Sequence, residues 1–437
     1  MATISVIGTG YLGATHAAAM AELNHDVIGI DVDADRIATL QQGRAPFYEP
    51  DLDDFLAAHT GSGRLRFSTD YAEAAEADIH FICVGTPQLD ASGAADTSYV
   101  FESVEHLVPL LQRDSLIVGK STVPVGTAQA LEQRVRELQP DGVAVHVAWN
   151  PEFLREGFAV EDTLAPDRIV VGVSRETDAQ TLRRLYAPQL EAGTPFIATD
   201  FATAELVKVA ANSFLATKIS YINAMAAVCD ATGADVSALA EALGHDDRIG
   251  PKFLRAGVGF GGGCLPKDLR AFMARAGELG LGSTFTFLRN IDEINMRLRV
   301  HAVDRASELL GGELLGARVA ALGVAFKPDS DDIRDSPALN IAAALHLRGA
   351  IVNVYDPKAN DNARRSFPTL QYCRTKEDAL DQADLVLLLT EWNEFLSMDP
   401  TVAKTLVAQA NILDGRNALS PRQWREAGWH YQGIGIP

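Results

Sequence analysis

One nine-residue segment brings together more reactive chemistry than any other in the chain: Phe260-Gly261-Gly262-Gly263-Cys264-Leu265-Pro266-Lys267-Asp268. Three consecutive glycines cost conformational entropy, and a sequence tolerates them where backbone must come close to a ligand. Pro266 suits the first turn of a helix, so Cys264 falls just before a helix start. Unpaired N–H groups there carry partial positive charge, which lowers a thiol pKa and favours the nucleophilic thiolate. A packing cysteine belongs in an apolar run, as Cys83 and Cys229 do; these two and Cys373 read as structural. Lys208 and Asn212 stand four apart, so a helix would put them on one face with Leu215 and Ile219. A lysine on that apolar stripe either snorkels to solvent or finds partners and stabilises developing charge. Glu152 and Glu156, in Asn150-Pro151-Glu152-Phe153-Leu154-Arg155-Glu156-Gly157, are candidate acid–base or water-orienting groups. Taken alone, either one reads as an ordinary surface carboxylate.

A second set of residues suits phosphate and ribose. Gly8-Thr9-Gly10-Tyr11-Leu12-Gly13 lies between a strand pattern and a helix pattern, with Asp31 closing the next strand 18 residues after Gly13. The glycines allow a tight turn, close approach of a pyrophosphate and close helix–strand packing; the helix N-terminus then faces the phosphates. A carboxylate at Asp31 accepts ribose hydroxyls and repels a 2′-phosphate, which favours NAD over NADP. Val84-Gly85-Thr86-Pro87 and Ser121-Thr122-Val123-Pro124 follow later strands at the carboxyl edge, where open parallel sheets bind ligands. Gly323-Val324-Ala325-Phe326-Lys327-Pro328, the nearby Arg334 and Asp414-Gly415-Arg416 add candidate phosphate-binding cations in the last third.

Positioning these groups requires alternating elements. Ile4–Gly8, Asp26–Asp31, Asp78–Val84, Ser115–Lys120 and Val143–Ala148 read as strands, with helices over Tyr11–Leu23, Glu49–Ala58 and Gly126–Leu138 between them. Helices are then expected over Ala204–Ala231, Asp235–Leu243, Leu265–Leu279 and Thr284–Leu310. Strands return at Arg318–Gly323, Ile351–Asp356, Asp384–Thr390 and Asn411–Asp414, separated by helices Ser336–Leu347, Lys376–Gln382 and Thr401–Ala410. The expected class is α/β: a Rossmann-type domain over 1–200, a helical section over 201–312 and a Rossmann-like α/β domain over 313–437.

Composition bounds the function. The chain has 437 residues, 47% of them hydrophobic and 22% charged, and a formal net charge of −20. The apolar fraction excludes intrinsic disorder, and the absence of a basic stripe argues against nucleic acid. No apolar run approaches the roughly 18 residues of a membrane span, and Thr3–Gly8 as a strand leaves no room for a signal peptide. Four scattered cysteines do not form a disulfide framework, and the ten histidines show no ligand spacing. A cytoplasmic protein without a metal site is expected.

In order, GTGYLG, VGTP, STVPVGT, NPEFLREG, ELVKVAANSFLATKISYINA, FGGGCLPKD, FKPDSDDIRDSP and LDGR resemble the UDP-glucose/GDP-mannose dehydrogenase family from Gly8 to about Arg416. The resemblance implies oxidation of the C6 alcohol of a nucleotide sugar to a carboxylate with two NAD in succession. It implies Cys264 as the nucleophile, Lys208 and Asn212 at the developing oxyanion, Asp268 organising water and Lys208, and Thr122 and Glu152 around the hydrolytic water. Gly8, Gly10, Tyr11, Leu12, Gly13, Asp31, Arg36, Thr86, Thr122, Glu156 and Arg334 match NAD contacts. Glu152, Phe153, Leu154, Lys208, Asn212, Arg248, Phe253, Gly261, Lys327 and Arg416 match positions that hold the sugar nucleotide. The stretch Arg248–Leu254 is similar to the UDP-glucose branch, which implies a homodimer, formed through the helical section, with Arg248 reaching the neighbouring subunit. Two residues depart from the pattern: Gly263 stands where the family often has Ser, and Leu265 where the UDP-glucose branch often has Phe. Leu there is familiar from GDP-mannose enzymes, so GDP-mannose or a UDP-N-acetylhexosamine is the alternative substrate. A one-step hydroxyacid dehydrogenase would share the NAD domain but needs no thiol. A non-catalytic NAD-responsive regulator would need neither Cys264 nor Lys208.

Overall fold

The computed structural model describes residues 2–89 and 92–437. The chain forms two compact units, one of residues 1–211 with 270–279 and the other of residues 212–269 with 280–437.

The first unit is built on eight strands: β1 (Thr3–Ile7), β2 (Asp26–Ile30), β3 (Leu65–Ser68), β4 (Ile79–Ile82), β5 (Ser115–Gly119), β6 (Val145–Trp149), β7 (Ile169–Val173) and β8 (Phe196–Thr199). Their order is β3-β2-β1-β4-β5-β6-β7-β8, and every pairing is parallel except β6 with β7. Ile4, Val6, Ile7, Phe81, Ile82 and Trp149 are completely buried, as expected of strands covered on both faces. The order reverses between β1 and β4, which opens a crevice at their carboxyl ends. Gly8–Gly13, Val84–Pro87, Ser121–Pro124 and Asn150–Gly157 leave β1, β4, β5 and β6 at that one edge. The antiparallel step departs from the all-parallel pattern expected from sequence. Between β6 and β7 the chain makes only a loop and the six-residue helix Ala159–Leu164, so β7 starts at the edge where β6 ends and runs back.

The second unit repeats the order on a smaller scale. Strands β9 (Arg318–Leu322), β10 (Ile351–Tyr355), β11 (Gln371–Tyr372), β12 (Leu385–Leu388), β13 (Asn411–Asp414) and β14 (His430–Gly433) form a wholly parallel sheet ordered β11-β10-β9-β12-β13-β14. Its reversal lies between β9 and β12, and Gly323–Pro328 and Asp414–Arg416 leave β9 and β13 at the carboxyl edge. Helices Val236–Gly244 and Thr286–Leu309 belong to this unit as well.

Three helices depart from their expected bounds by three residues or more at an end. The long helix covers Phe201–Thr232, because the Asp200 side chain accepts from the Thr203 N–H at 2.8 Å and starts it early. Leu52–Ser62 begins three residues after Glu49, because Asp51 adopts a left-handed conformation (φ +62°) that no continuing helix allows. Pro400–Lys404 ends well before Ala410, because the Ala408 and Gln409 N–H groups bond instead to the Ala383 carbonyl.

Candidate active site

In the first unit the three loop glycines each have a separate reason to lack a side chain. Gly8 has φ +86°, and a Cβ there would meet the Val84 backbone nitrogen at 2.9 Å. A Cβ at Gly13 would overlap the Gly8 carbonyl, so this glycine lets the helix pack on β1. Gly10 faces open space, with nothing within 4 Å of where a Cβ would stand, as a pyrophosphate site requires. It caps the helix Tyr11–Glu22, whose first turn holds no acidic residue. Asp31 Oδ2 accepts from the Thr9 N–H at 2.7 Å and pairs with Arg36 at 2.9 Å, while Oδ1 takes the Asp33 N–H at 3.0 Å. Burial works to raise the Asp31 pKa, but bonds from the Asp33 and Thr9 N–H groups, with Arg36 beside them, hold it below the usual carboxylate range. An ionised carboxylate therefore sits at the end of β2, where a dinucleotide ribose belongs. Leu12 enters the same helix behind Gly10. At the edge of β4 and β5, Thr86 Oγ1 donates to the Thr122 carbonyl at 2.8 Å and joins the two loops.

Lys208 does not snorkel. Its side chain is 5% exposed, and Nζ lies 2.9 Å from Glu152 Oε1. Glu152 Oε2 also accepts the Leu154 N–H at 2.8 Å, which folds Phe153 and Leu154 around the carboxylate. The Phe153 ring lies under both Lys208, at 5.6 Å, and Arg168, at 3.9 Å. Glu156 is buried on the same loop.

In the second unit Cys264 is exposed and immediately precedes the helix Leu265–Glu278; its carbonyl accepts the Asp268 N–H at 2.8 Å. Asp268 is buried and holds Asn212 Nδ2 at 2.7 Å and Lys267 Nζ at 2.7 Å. The glycine run before Cys264 has a different cause from the one its sequence suggests. A Cβ at Gly261 would overlap the Asp335 carbonyl, one at Gly262 would meet the Phe326 ring at 2.8 Å, and one at Gly263 would strike the Arg334 guanidinium. These glycines accommodate the chain's own 326–335 segment, to which the Gly262 N–H also bonds through the Arg334 carbonyl at 2.8 Å.

The proposed cations are committed to differing degrees. Arg334 holds Asp332 through Nε and Nη2 at 2.6–3.0 Å. Arg416 is a clamp: it donates to the carbonyls of Leu389 at 2.6 Å, Gly259 at 2.9 Å and Phe326 at 3.2 Å. Burial lowers its pKa, with Glu391 and Asp414 opposing that effect. Lys327 Nζ lies 5.6 Å from the Phe326 ring centre. Arg248 is 88% exposed and pairs with Asp246 at 2.6 Å, and Phe253 is exposed with φ +65°.

Several anchoring residues carry no clear mark in the sequence. Glu205, one turn before Lys208, accepts the Gly126 and Ala128 N–H groups at 2.7 and 2.6 Å and so fixes the loop bearing Thr122. Asn295, wholly buried, takes the Phe260 N–H at 2.8 Å and donates to the Phe260 carbonyl at 3.0 Å, which anchors the glycine run. Asn150 receives Lys120 at 3.2 Å and the Tyr186 hydroxyl at 2.7 Å. The usable signal is weak: a Glu or Asn within an apolar helix or at a strand end, which needs a partner if buried.

A doubly-wound sheet with an open glycine loop and an ionised carboxylate, in a chain whose exposed cysteine opens a helix, defines the class: an NAD-dependent oxidoreductase. The NAD binding domain of the UDP-glucose/GDP-mannose dehydrogenase family matches residues 2–190, its central domain residues 202–297 and its UDP binding domain residues 320–421. The chain is 39% identical over 435 residues to the UDP-glucose 6-dehydrogenase YwqF of Bacillus subtilis, covering 99% of this chain and 97% of that protein. A UDP-glucose dehydrogenase structure from the hyperthermophilic archaeon Pyrobaculum islandicum superposes with a TM-score of 0.91 at 38% identity, covering 100% and 98% of the two chains. A UDP-D-ManNAc dehydrogenase structure from Pyrococcus horikoshii gives 0.85 at 27% identity, covering 99% of each. This chain belongs to the UDP-glucose/GDP-mannose dehydrogenase family, and NAD is its cofactor.

Proposed function

We propose that this enzyme oxidises the C6 alcohol of UDP-glucose to the carboxylate of UDP-glucuronate. NAD, when bound, accepts a hydride in each of two oxidations. The first converts the alcohol to an aldehyde, with one proton released. The Cys264 thiol adds to that aldehyde to give a thiohemiacetal, and loss of a second hydride and a proton gives a thioester. Water then cleaves the thioester, releasing the carboxylate and a third proton and regenerating the thiol. The chain oxidises one alcohol with two NAD and one water, and two NADH result.

The observation that carries this reading is the exposed thiol at a helix start, in a chain 39% identical over its length to a UDP-glucose 6-dehydrogenase. Lys208, held by Glu152, supplies the positive charge that stabilises the C6 oxyanion. Asn212 and Asp268 support it from the hydrogen-bonded pair they form, and Thr122 and Glu152 orient the hydrolytic water. Gly8, Gly10, Tyr11, Leu12, Gly13, Asp31, Arg36, Thr86, Thr122, Glu156 and Arg334 hold NAD. Phe153, Leu154, Phe253, Gly261, Lys327 and Arg416 hold the sugar nucleotide, Arg416 by keeping the Gly259 and Phe326 segments together. The three-part division at residues 200 and 312 assigns NAD, dimer contacts and UDP to successive sections. Phe214, Tyr221 and Val228 are 66%, 50% and 53% exposed at seven-residue spacing on one helix, which supports a helix-mediated homodimer. Arg248 is exposed and paired with the neighbouring Asp246 carboxylate, which supports the reading that it reaches the neighbouring subunit's sugar site. No helix among the described residues is long and apolar enough to cross a membrane, and we place the enzyme in the cytoplasm.

A panel of sugar nucleotides with NAD tests the substrate. NADH is expected from UDP-glucose at a kcat/KM at least about tenfold above any other, since a lost substrate hydrogen bond costs at least that much. Faster NADH from GDP-mannose or a UDP-N-acetylhexosamine would overturn the choice.

A further inference from the structure

Glu49 lies in no segment to which the family resemblance gives a role, yet it is buried and ties two functional loops of the first unit together. Its Oε2 accepts the Gly157 N–H at 2.7 Å, and its Oε1 accepts the Ala159 N–H at 2.7 Å. The Tyr11 hydroxyl donates to Oε2, and the Gly157 N–H also reaches the Tyr11 oxygen at 3.0 Å. Three donors from two separate chain segments therefore converge on one carboxylate. Tyr11 directly follows Gly10 in the dinucleotide loop, and its ring is held from the other side by Phe47, 4.9 Å away between centres. Gly157 ends the irregular stretch that carries Glu152 and Glu156. That stretch has no helix or strand of its own between β6 and Ala159, so side-chain tethers set its position. Burial, and next the bond to Glu49, raise the Tyr11 pKa far above its ordinary value, so the phenol keeps its proton and acts as the donor.

We infer that Glu49 is a positioning residue that couples the dinucleotide loop at Tyr11 to the Glu152–Gly157 loop, so that NAD binding and the placement of the Glu152–Lys208 pair depend on one carboxylate. The role of Glu152 rests on the function proposed above; the effect on NAD does not. Only an acceptor with two oxygens satisfies the arrangement. An amide at position 49 would turn an NH2 toward a backbone N–H or the phenol, and an aspartate is one methylene too short to reach both N–H groups.

The test is a double-mutant cycle of Glu49→Gln and Tyr11→Phe, read as the NAD dissociation constant by calorimetry with no sugar nucleotide present. Turnover of the folded protein is measured alongside. Glu49→Gln is expected to weaken NAD binding by about tenfold or more, the scale of a lost charged hydrogen bond. It should also raise the KM for NAD and, because the tethered loop carries Phe153 and Leu154, the KM for the sugar nucleotide as well. Tyr11→Phe should weaken NAD binding less, and the double variant should fall short of the product of the two by about threefold or more. NAD affinity unchanged in Glu49→Gln, or effects that multiply independently, would overturn the coupling. If Glu49→Gln does not fold, Tyr11→Phe decides alone, since it leaves both backbone bonds intact: unchanged NAD affinity then refutes the inference. If the affinity shifts appear but UDP-glucose is not oxidised, the substrate assignment falls and the coupling stands.

Discussion

At the scale of single residues, the chemistry depends on side chains whose neighbours leave them little freedom. Lys208 and Glu152 are held to each other, and Asp268 is held by Asn212 and Lys267, so the charged groups proposed for the reaction enter it already placed. Gly263 shows how local the determinants are. The Arg334 guanidinium, 63% exposed at its side chain, stands where a side chain at 263 would begin. Because the obstructing atoms are the far end of a flexible side chain, Gly263→Ser should cost little stability, with a thermal midpoint within about 2 °C of wild type, an ordinary surface substitution. It should displace Arg334, and the KM for NAD should rise several-fold if that arginine holds the cofactor. An unchanged KM would remove Arg334 from the cofactor set. The glycine run also marks a limit of what sequence discloses: its unusual character is legible, but its cause is not. Three glycines signal a close approach of some kind, and only the folded chain reveals that the approaching group is residues 326–335, distant in sequence.

At the scale of elements, strands and helices that carry a strong pattern are legible. β1, β2, β5 and β13 stand within a residue or two of their expected bounds because each is a run of apolar residues bounded by turn signals. Not read from the sequence are β7, despite its apolar run, and the edge strands β3, β8, β11 and β14, which are short, β8 being half exposed, with polar or small residues at most positions. The pairing of these edge strands comes from neighbouring strands and not from their own composition. The bounds of Leu52–Ser62 and Pro400–Lys404 escape the pattern because one left-handed residue delimits the first and tertiary hydrogen bonds end the second. Strand β4 carries a pH prediction. His80 is fully buried, shares a hydrogen bond of 2.7 Å with Ser5 Oγ through Nδ1, and its Nε2 has no partner among the described residues. Burial lowers its pKa to about 4 from an ordinary 6.5. The folded state then binds fewer protons than the unfolded state between those values, so stability falls as pH drops from 6.5 toward 4. The loss from this one group is up to about 3 kcal/mol. His16, also buried, shifts in the same direction. His80→Gln should flatten the decline of the urea midpoint between about pH 7 and 4.5; an identical slope in the variant would show that His80 is not its source.

At the scale of the whole molecule, a net charge of −20 must coexist with NAD and the proposed sugar nucleotide, each of which carries a pyrophosphate. The first unit offers a helix N-terminus at Gly10 with no acid in its first turn, which favours an anion whatever the total charge. In the second unit Arg416 gives its donors to three carbonyls and Arg334 is paired with Asp332. Assembly is the other property at this scale. Phe214→Asp combined with Tyr221→Asp should convert the proposed dimer to a monomer by light scattering and, with Arg248 acting across the interface, abolish turnover. A variant that remains dimeric would refute the interface, and a fully active monomer would refute the role of Arg248. The proposed four-electron oxidation turns on the Cys264 thiol, and NADH counted per molecule of UDP-glucose consumed reads it out. The wild-type enzyme should give two NADH and one UDP-glucuronate per sugar, while Cys264→Ser should give no uronate. Two NADH per sugar from the serine variant, or one from the wild type, would contradict it.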